Sequence, residues 1–171
     1  MTTTRQTRQT VRINGKRTVL TTRNGKVTAK AADPLEWELQ AAQVRRLRGM
    51  PEYGTQFLLA GDQNSAKRGP TAQAQAVAAG MTAGEADLRI YLRGGQVRHI
   101  ENKVGNGRLQ PVQVKRHGEL EKLGHTVVVL RAVSEQEAAD KAEACVREWL
   151  TEPVAADNDN AAAFADDHKL Q

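Results

Sequence analysis

The chain has 171 residues, the length of one ordinary domain, and its single cysteine excludes a disulfide framework and a multi-cysteine metal cluster. Only six residues are aromatic (two each of Trp, Tyr and Phe), so a wide base-stacking platform is not expected. No apolar run approaches about 20 residues and the N-terminus lacks an apolar signal core, which predicts a cytoplasmic protein with no membrane partner.

The formal net charge of +5 is unevenly distributed along the chain. Residues 1–32 carry eight Lys or Arg and no acid, residues 33–150 carry 16 basic and 15 acidic residues, and residues 151–171 carry one basic and five acidic residues. This pattern favours a polyanionic partner such as DNA. It also predicts three parts: a basic N-terminal arm over 1–32, a folded domain over 33–150 and a disordered acidic tail over 151–171.

The N-terminal arm contains two short alternating runs, at 11–13 and 18–21, that lie beside tight-turn pairs. The pairs are Asn14-Gly15 and Asn24-Gly25, and such pairs favour a small hairpin or meander. A floppy positive arm accounts for the same residues equally well. The polar residues 1–10 are expected to be disordered.

From residue 33 onward the apolar periodicity predicts alternating helices and strands. Asp33 suits a helix N-cap and Pro34 the first helical position, and Ser134 and Glu137 form a capping box at the last helix. The predicted elements are a helix over 34–48, a strand over 55–60, a helix over 71–79, strands over 86–92 and 97–104, a helix over 111–123, a strand over 125–131 and a helix over 134–150. This order indicates an α/β fold with a mixed sheet flanked by helices.

Three polar residues on the two central predicted strands form the clearest chemical pattern. Asp87 begins one strand, and Glu101 and Lys103 lie two apart on the next, so their side chains share a face. Two carboxylates from adjacent strands can share a divalent cation, and Mg²⁺ prefers such oxygen ligands. With a lysine beside them, they are the minimal equipment for metal-dependent phosphodiester hydrolysis.

The loop between these two strands decides whether the pattern forms a site. A two-residue turn at Gly94-Gly95 would place Asp87 opposite Asn102 and would point Glu101 to the other face. A three-residue loop or a bulge would bring Asp87 opposite Lys103, on the face of Glu101. We therefore expect an odd-length loop or a bulge.

Four short segments, taken in order, are similar to a known family. They are Gly84-Glu85-Ala86-Asp87-Leu88, Ile100-Glu101-Asn102-Lys103, Gly107-Arg108-Leu109-Gln110-Pro111-Val112-Gln113 and Leu123-Gly124-His125-Thr126-Val127. Their order and spacing resemble the VRR-NUC domain of the PD-(D/E)xK nuclease superfamily, over about residues 34–133. The resemblance implies a restriction-endonuclease-like fold, in which helices flank a mixed sheet.

The resemblance also implies roles for individual residues. Asp87 and Glu101 would be ligands of Mg²⁺ or Mn²⁺, and Lys103 would be the catalytic lysine. Glu36 would be the carboxylate of the first helix that touches the metal site, directly or through water. Gln113 matches the family's helix glutamine near the metal.

At three positions the sequence offers a competing residue or departs from the family's pattern. Glu38 competes with Glu36 for the helix carboxylate, but Glu36 lies four residues before Gln40 and shares its helix face, so Glu36 is preferred. The family's usual proline before the aspartate is Ala86 here, which removes no ligand. Asn102 replaces an aliphatic residue, and because a buried unpaired amide is costly we expect it to have a hydrogen-bond partner.

Several other polar residues are candidates for contacts. His99 lies two residues before Glu101, and a structural histidine is the preferred interpretation. Cationic side chains could contact phosphates, although plain surface charge explains each of them equally well. The cations are Lys67, Arg68, Arg108, Lys115 and Arg116.

These observations predict a Mg²⁺-dependent DNA endonuclease. Small stand-alone members of the family are typically homodimers that act on branched DNA such as four-way junctions, where a two-fold dimer supplies the two nicks. Three alternatives stay open: a nuclease that cuts flaps, single strands or linear duplex, a catalytically weak DNA-binding module that retains the fold, and an interaction protein whose acidic residues are surface charge.

Overall fold

The computed structural model of the chain describes residues 6–62 and 69–153. Its elements divide into two units, with the boundary between Leu35 and Glu36. Within the described ranges no helix is long and apolar enough to span a bilayer.

The N-terminal unit is a three-stranded antiparallel meander. Strands β1 (Gln6–Ile13), β2 (Lys16–Arg23) and β3 (Lys26–Ala31) lie in the order β1-β2-β3. The turns place Asn14 and Asn24 at φ 49° and 50°, each followed by a glycine that is also left-handed. The prediction of disorder over 1–10 is wrong for residues 6–10, because β1 pairs with β2 along its whole length. Because the side chains of residues 6–10 are polar, their sequence pattern does not indicate this backbone pairing.

The second unit is built around a four-stranded mixed sheet. Strands β4, β5 and β6 are antiparallel neighbours, and β7 lies parallel to β6. The elements are α1 (Glu36–Arg48), β4 (Phe57–Gly61), α2 (Pro70–Ala78), β5 (Leu88–Leu92), β6 (Val97–Val104), α3 (Pro111–Lys122), β7 (Thr126–Ala132) and α4 (Glu135–Thr151). The predicted α/β class with a mixed, helix-flanked sheet is confirmed.

The apolar core lies on one face of this sheet. Leu88, Ile90 and Ile100 are fully buried there, and they cluster with Leu47 of α1 and Val146 of α4. Because side chains alternate along a strand, the odd-numbered residues of β6 point to the opposite face. One face of β6 therefore stabilises the fold, and the other is left for polar groups.

Asn102 is an exception on the core face, and it has the partner that the sequence led us to expect. Gln43 of α1 donates to its side-chain oxygen at 2.7 Å, and Asn102 donates back at 3.0 Å. Both residues are fully buried. The reciprocal pair satisfies two amides at once and fixes α1 against β6.

Breaking this amide pair on one side is expected to destabilise the protein more than removing both sides. Gln43→Met and Asn102→Leu each leave the other amide buried without a partner, which costs about 1–3 kcal/mol. The double variant places two apolar groups of similar shape together and is expected to regain most of that loss. Urea unfolding of the four proteins measures the coupling, and additive losses would contradict the expectation.

Candidate active site

The loop that sets the register of the two central strands contains three residues. It is a short 3₁₀ turn over Arg93–Gly95, in which Gly94 has φ 76°. A backbone hydrogen bond closes the loop: the N–H of Leu92 donates to the carbonyl oxygen of Gln96 at 2.8 Å. The predicted odd-length loop is confirmed.

This register brings Asp87 onto the face of Glu101. Because Leu88 pairs with Ile100, Asp87, which immediately precedes β5, lies level with Glu101. The sequence predicted that Asp87 would lie opposite Lys103. This prediction is wrong, because Asp87 lies level with Glu101, two residues earlier on the same face. The loop does not include Gln96, which instead pairs with Leu92 and closes the hairpin.

The segment that leads to Asp87 is held from several directions. Gly84 has φ +82°, and a Cβ there would lie 2.5 Å from the carbonyl oxygen of Val112, so only glycine fits. The carboxylate of Asp87 accepts the backbone N–H of Asn102 at 2.7 Å. Its carbonyl oxygen accepts the amide of Gln40 at 2.8 Å. β6 therefore positions the Asp87 carboxylate, and α1 holds the Asp87 backbone.

Glu101 is fully buried, and its two carboxylate oxygens differ. Oε1 accepts from Lys103 Nζ at 2.7 Å and from Gln113 Nε2 at 2.5 Å. Oε2 is buried and has no hydrogen-bond partner in the described part of the chain. Burial raises the pKa of Glu101, and the bond to Lys103 opposes that rise. The unpaired oxygen leaves the carboxylate able to take one more positive partner.

Lys103 joins β6 to the start of α1. Its Nζ lies 3.0 Å from Glu36 Oε1 as well as 2.7 Å from Glu101 Oε1. Burial lowers the pKa of Lys103, but hydrogen bonds to Glu101 and Glu36 outweigh it, so its pKa is raised and the amine is charged. The carboxylate that contacts the lysine is thus Glu36, the one preferred over Glu38.

Gln113 is aimed at Glu101 by the N-terminus of α3. The side-chain oxygen of Gln113 accepts the backbone N–H of Gln110 at 2.9 Å, as half of a capping box. This bond turns its Nε2 toward Glu101. Gln113 therefore both caps its helix and holds the carboxylate.

A further residue at this site was missed by sequence reasoning. His117 Nε2 lies 3.6 Å from Glu101 Oε2, is buried and has no hydrogen-bond partner among the described residues. Burial lowers the pKa of His117, which favours the neutral ring. The missed signal was its spacing, since His117 follows Gln113 by four residues and lies on the same face of α3.

The described candidate phosphate-binding cations differ in their surroundings. Arg116 is held by an ion pair to Glu85 at 2.8 Å, whereas the side chain of Lys115 is 79% exposed and Arg108 is also exposed. Lys67 and Arg68 lie outside the described residues. Sequence reasoning missed Glu85, which lies 3.8 Å from Arg89 and also pairs with Arg116, 31 residues away in the chain.

His99 lies on the same face of β6, but it is packed against another ring. It is buried, and its ring meets that of His125 edge to face at 5.6 Å. Burial lowers the pKa of His99. These contacts agree with a structural histidine.

The Asp87 carboxylate is partly buried beside a second carboxylate, that of Glu101. Burial, then the negative charge of Glu101, raises the pKa of Asp87 to about 6. Hard oxygen donors and the unpaired Oε2 of Glu101 fit a divalent cation such as Mg²⁺. Within 6–62 and 69–153, however, no group of three or more His, Cys, Asp or Glu side chains is arranged to hold a metal ion. The fit of a divalent cation to this site therefore depends on the carboxylates of Asp87 and Glu101.

Comparison with known proteins finds no family model, no curated protein and no solved structure that matches this chain. The geometry of the site and the resemblance of its motifs are therefore the two grounds for a proposed function.

Asp87→Asn is expected to stabilise the metal-free protein at neutral pH and to change it little near pH 4. The folded state binds the Asp87 proton with a pKa of about 6, above the ordinary 3.8, so it holds more protons than the unfolded state between these values. The free energy of unfolding therefore falls as pH rises through this window, by up to about 3 kcal/mol for two pH units. The side chain in Asp87→Asn does not titrate in this range, so the variant does not lose this free energy of unfolding. Urea unfolding in EDTA across this pH range measures it.

Asp140→Asn on α4 is the matched control. Hydrogen bonds from Gln136 and Arg46 lower the pKa of Asp140, so its charge stabilises the protein above the ordinary pKa and that contribution is lost as pH falls. This control should destabilise the protein at neutral pH. Shifts of the same sign in both variants would contradict the electrostatic account of Asp87.

Proposed function

We propose that the second unit is a metal-dependent endonuclease domain of the VRR-NUC type, which hydrolyses phosphodiester bonds in DNA. One observation carries the proposal: Lys103, Glu101 and Glu36 are joined by hydrogen bonds beside Asp87, and a buried Glu101 oxygen lacks a partner. A solvated charged face would not bury a lysine and a glutamate, because removing charges from water costs several kcal/mol unless they are paired.

In this proposal Asp87 and Glu101 hold Mg²⁺ or Mn²⁺. A cation bound there would lower the pKa of a coordinated water and stabilise charge on the phosphoryl group. The protein itself supplies the orientation of the two carboxylates. The backbone N–H of Asn102 fixes Asp87, and Gln113 fixes Glu101.

Lys103 is the residue that meets the reacting atoms in this proposal. Its charged amine donates hydrogen bonds, so it can orient the attacking water or bind a phosphate oxygen. Glu36 is half-exposed and holds the same amine from the solvent side. It would therefore act as a positioning residue that keeps Lys103 directed at the site.

The choice of substrate is supported by the resemblance alone. Small members of the VRR-NUC family act on branched DNA as homodimers, so we propose four-way junctions as the substrate and a two-fold dimer in the cytoplasm as the active form. A dimer places two such sites on one junction, as paired nicks require.

A second candidate function is favoured by a specific observation. The described residues offer two carboxylates rather than a group of three ligands. A DNA-binding module that retains the fold but cuts weakly would have such a site.

Cleavage of labelled junction, flap and linear DNA distinguishes these functions. With Mg²⁺ the protein is expected to cut, with EDTA it is not, and Lys103→Ala and Glu101→Gln are each expected to slow cutting by about 100-fold or more. Glu101→Gln keeps the shape of the side chain. Its loss of cutting would therefore support the proposal even if Lys103→Ala failed to fold. Lys122→Ala, at an exposed lysine in the last turn of α3, is the matched control and should cut normally.

Binding without Mg²⁺-dependent cutting would overturn the nuclease proposal and leave the DNA-binding module. Neither binding nor cutting would favour an interaction protein. Equal activity in Lys103→Ala and Lys122→Ala would reject the assigned role of Lys103.

Mg²⁺ is also expected to stabilise the folded protein, and this effect should need Asp87. A ligand that binds only the folded state at ten times its dissociation constant adds about 1.4 kcal/mol. Thermal unfolding in a MgCl₂ titration should shift for the unmodified protein and for Asp140→Asn but not for Asp87→Asn. A shift of equal size in all three proteins would show that the ion binds elsewhere.

A further inference from the structure

The N-terminal meander sorts its side chains by charge onto two faces. Residues paired across antiparallel strands share a face, and the register pairs Arg12 with Arg17, Arg23 with Lys26, and Val19 with Lys30. Following these pairs, six cations lie on one face, which we call the basic face. They are Arg8, Arg12, Arg17, Arg23, Lys26 and Lys30.

The opposite face, which we call the apolar face, has a different composition. Aliphatic residues occupy most of it, including Val11, Leu20 and Val27, and its single charged residue within β1–β3 is Lys16. Six of the seven cations of these strands are therefore on one side. The sequence shows their number, but only the strand register shows this separation.

The basic face brings like charges close together on neighbouring strands. Arg12 lies directly opposite Arg17, and Arg23 opposite Lys26, and like charges in such positions destabilise a sheet. Residues 6–31 contain no Asp or Glu. A polyanion laid across this face would remove that repulsion.

We propose that the basic face binds the sugar-phosphate backbone of DNA. The inference rests on the proposed function for the identity of the polyanion, whereas the face itself follows from the register. Its four arginines can bind phosphate oxygens through two hydrogen bonds each, and the hydroxyls of Thr10, Thr21 and Thr28 lie between them. The meander has no aromatic residue to stack on bases. It would therefore hold DNA without reading its sequence.

The separation of the two faces argues against an anionic membrane as the partner. A protein binds an anionic membrane surface well when its cations and apolar side chains enter the interface from the same side. Here they point in opposite directions, and Trp and Tyr, which favour membrane interfaces, are absent from residues 6–31. A partner that offers charge alone fits better.

The experiment compares two lysines of the same sheet in the full-length protein. Binding of labelled duplex DNA is followed by fluorescence anisotropy in EDTA, where no cutting occurs, at salt concentrations from about 50 to 200 mM. Lys30→Gln removes a charge from the basic face, and Lys16→Gln removes one from the apolar face. Each phosphate contact contributes about 0.9 to the slope of log affinity against log salt, so Lys30→Gln should lower the slope by about 0.9 and Lys16→Gln by much less.

A triple variant enlarges the effect. Arg8→Gln, Lys26→Gln and Lys30→Gln together should lower the slope by nearly 3 if all three residues contact phosphates. Arg12 and Arg17 are left in place because they also donate to the carbonyl oxygens of Gly15 and Asp33. Circular dichroism checks that the sheet persists, and the two single lysine variants decide the outcome if the triple variant does not fold.

Equal losses in Lys30→Gln and Lys16→Gln would overturn the assignment to one face, as would unchanged binding in the triple variant. Tighter binding to phosphatidylserine vesicles than to DNA, lost in the triple variant, would replace DNA by a membrane. The nuclease proposal is judged separately. Binding through the basic face without cutting refutes the nuclease alone, and cutting with an unchanged salt slope refutes the basic face alone.

Discussion

The second unit depends on the burial of one carboxylate, that of Glu101. A buried charge is stable only when it is paired, and the groups that pair and position this carboxylate come from its own strand and from two helices. Lys103 lies on the same strand, Gln113 reaches it from α3, and Glu36 on α1 holds the lysine. One oxygen atom thus couples two helices to the central strand. Among the described residues the other oxygen has no hydrogen-bond partner, so it can accept a further positive partner.

The alternation of side chains along β6 makes this arrangement compatible with a folded core. Ile100 and Asn102 face α1 and α4, whereas Glu101 and Lys103 face the other way. The polar Asn102 is tolerated on the core side because Gln43 satisfies it. The same strand can therefore support the hydrophobic core and carry an ionised pair, with neither requirement disturbing the other.

The two units treat charge in opposite ways. The second unit buries a few charges and pairs them, which orients them tightly and suits chemistry at one point. The meander exposes many like charges on one face, which suits contact along an extended polyanion. Alternation of side chains produces both results. In β6 it separates charge from core, and in the meander it separates cations such as Arg8 and Lys30 from the apolar face.

The sequence by itself determined the order of the helices and strands from residue 33 onward and the alignment of Glu101 and Lys103 on one face, because these follow from local periodicity. The odd-length loop before β6 follows from the sequence only through the requirement that Asp87 share a face with Glu101. Only the tertiary structure decided that Asp87 lies level with Glu101 and that His117 approaches the same carboxylate. It also decided that β1 begins at Gln6 and that the meander separates its charges. The positions of Asp87 and His117 depend on register and packing between different elements, and the two faces of the meander depend on strand pairing, which the alternation of side chains alone does not fix.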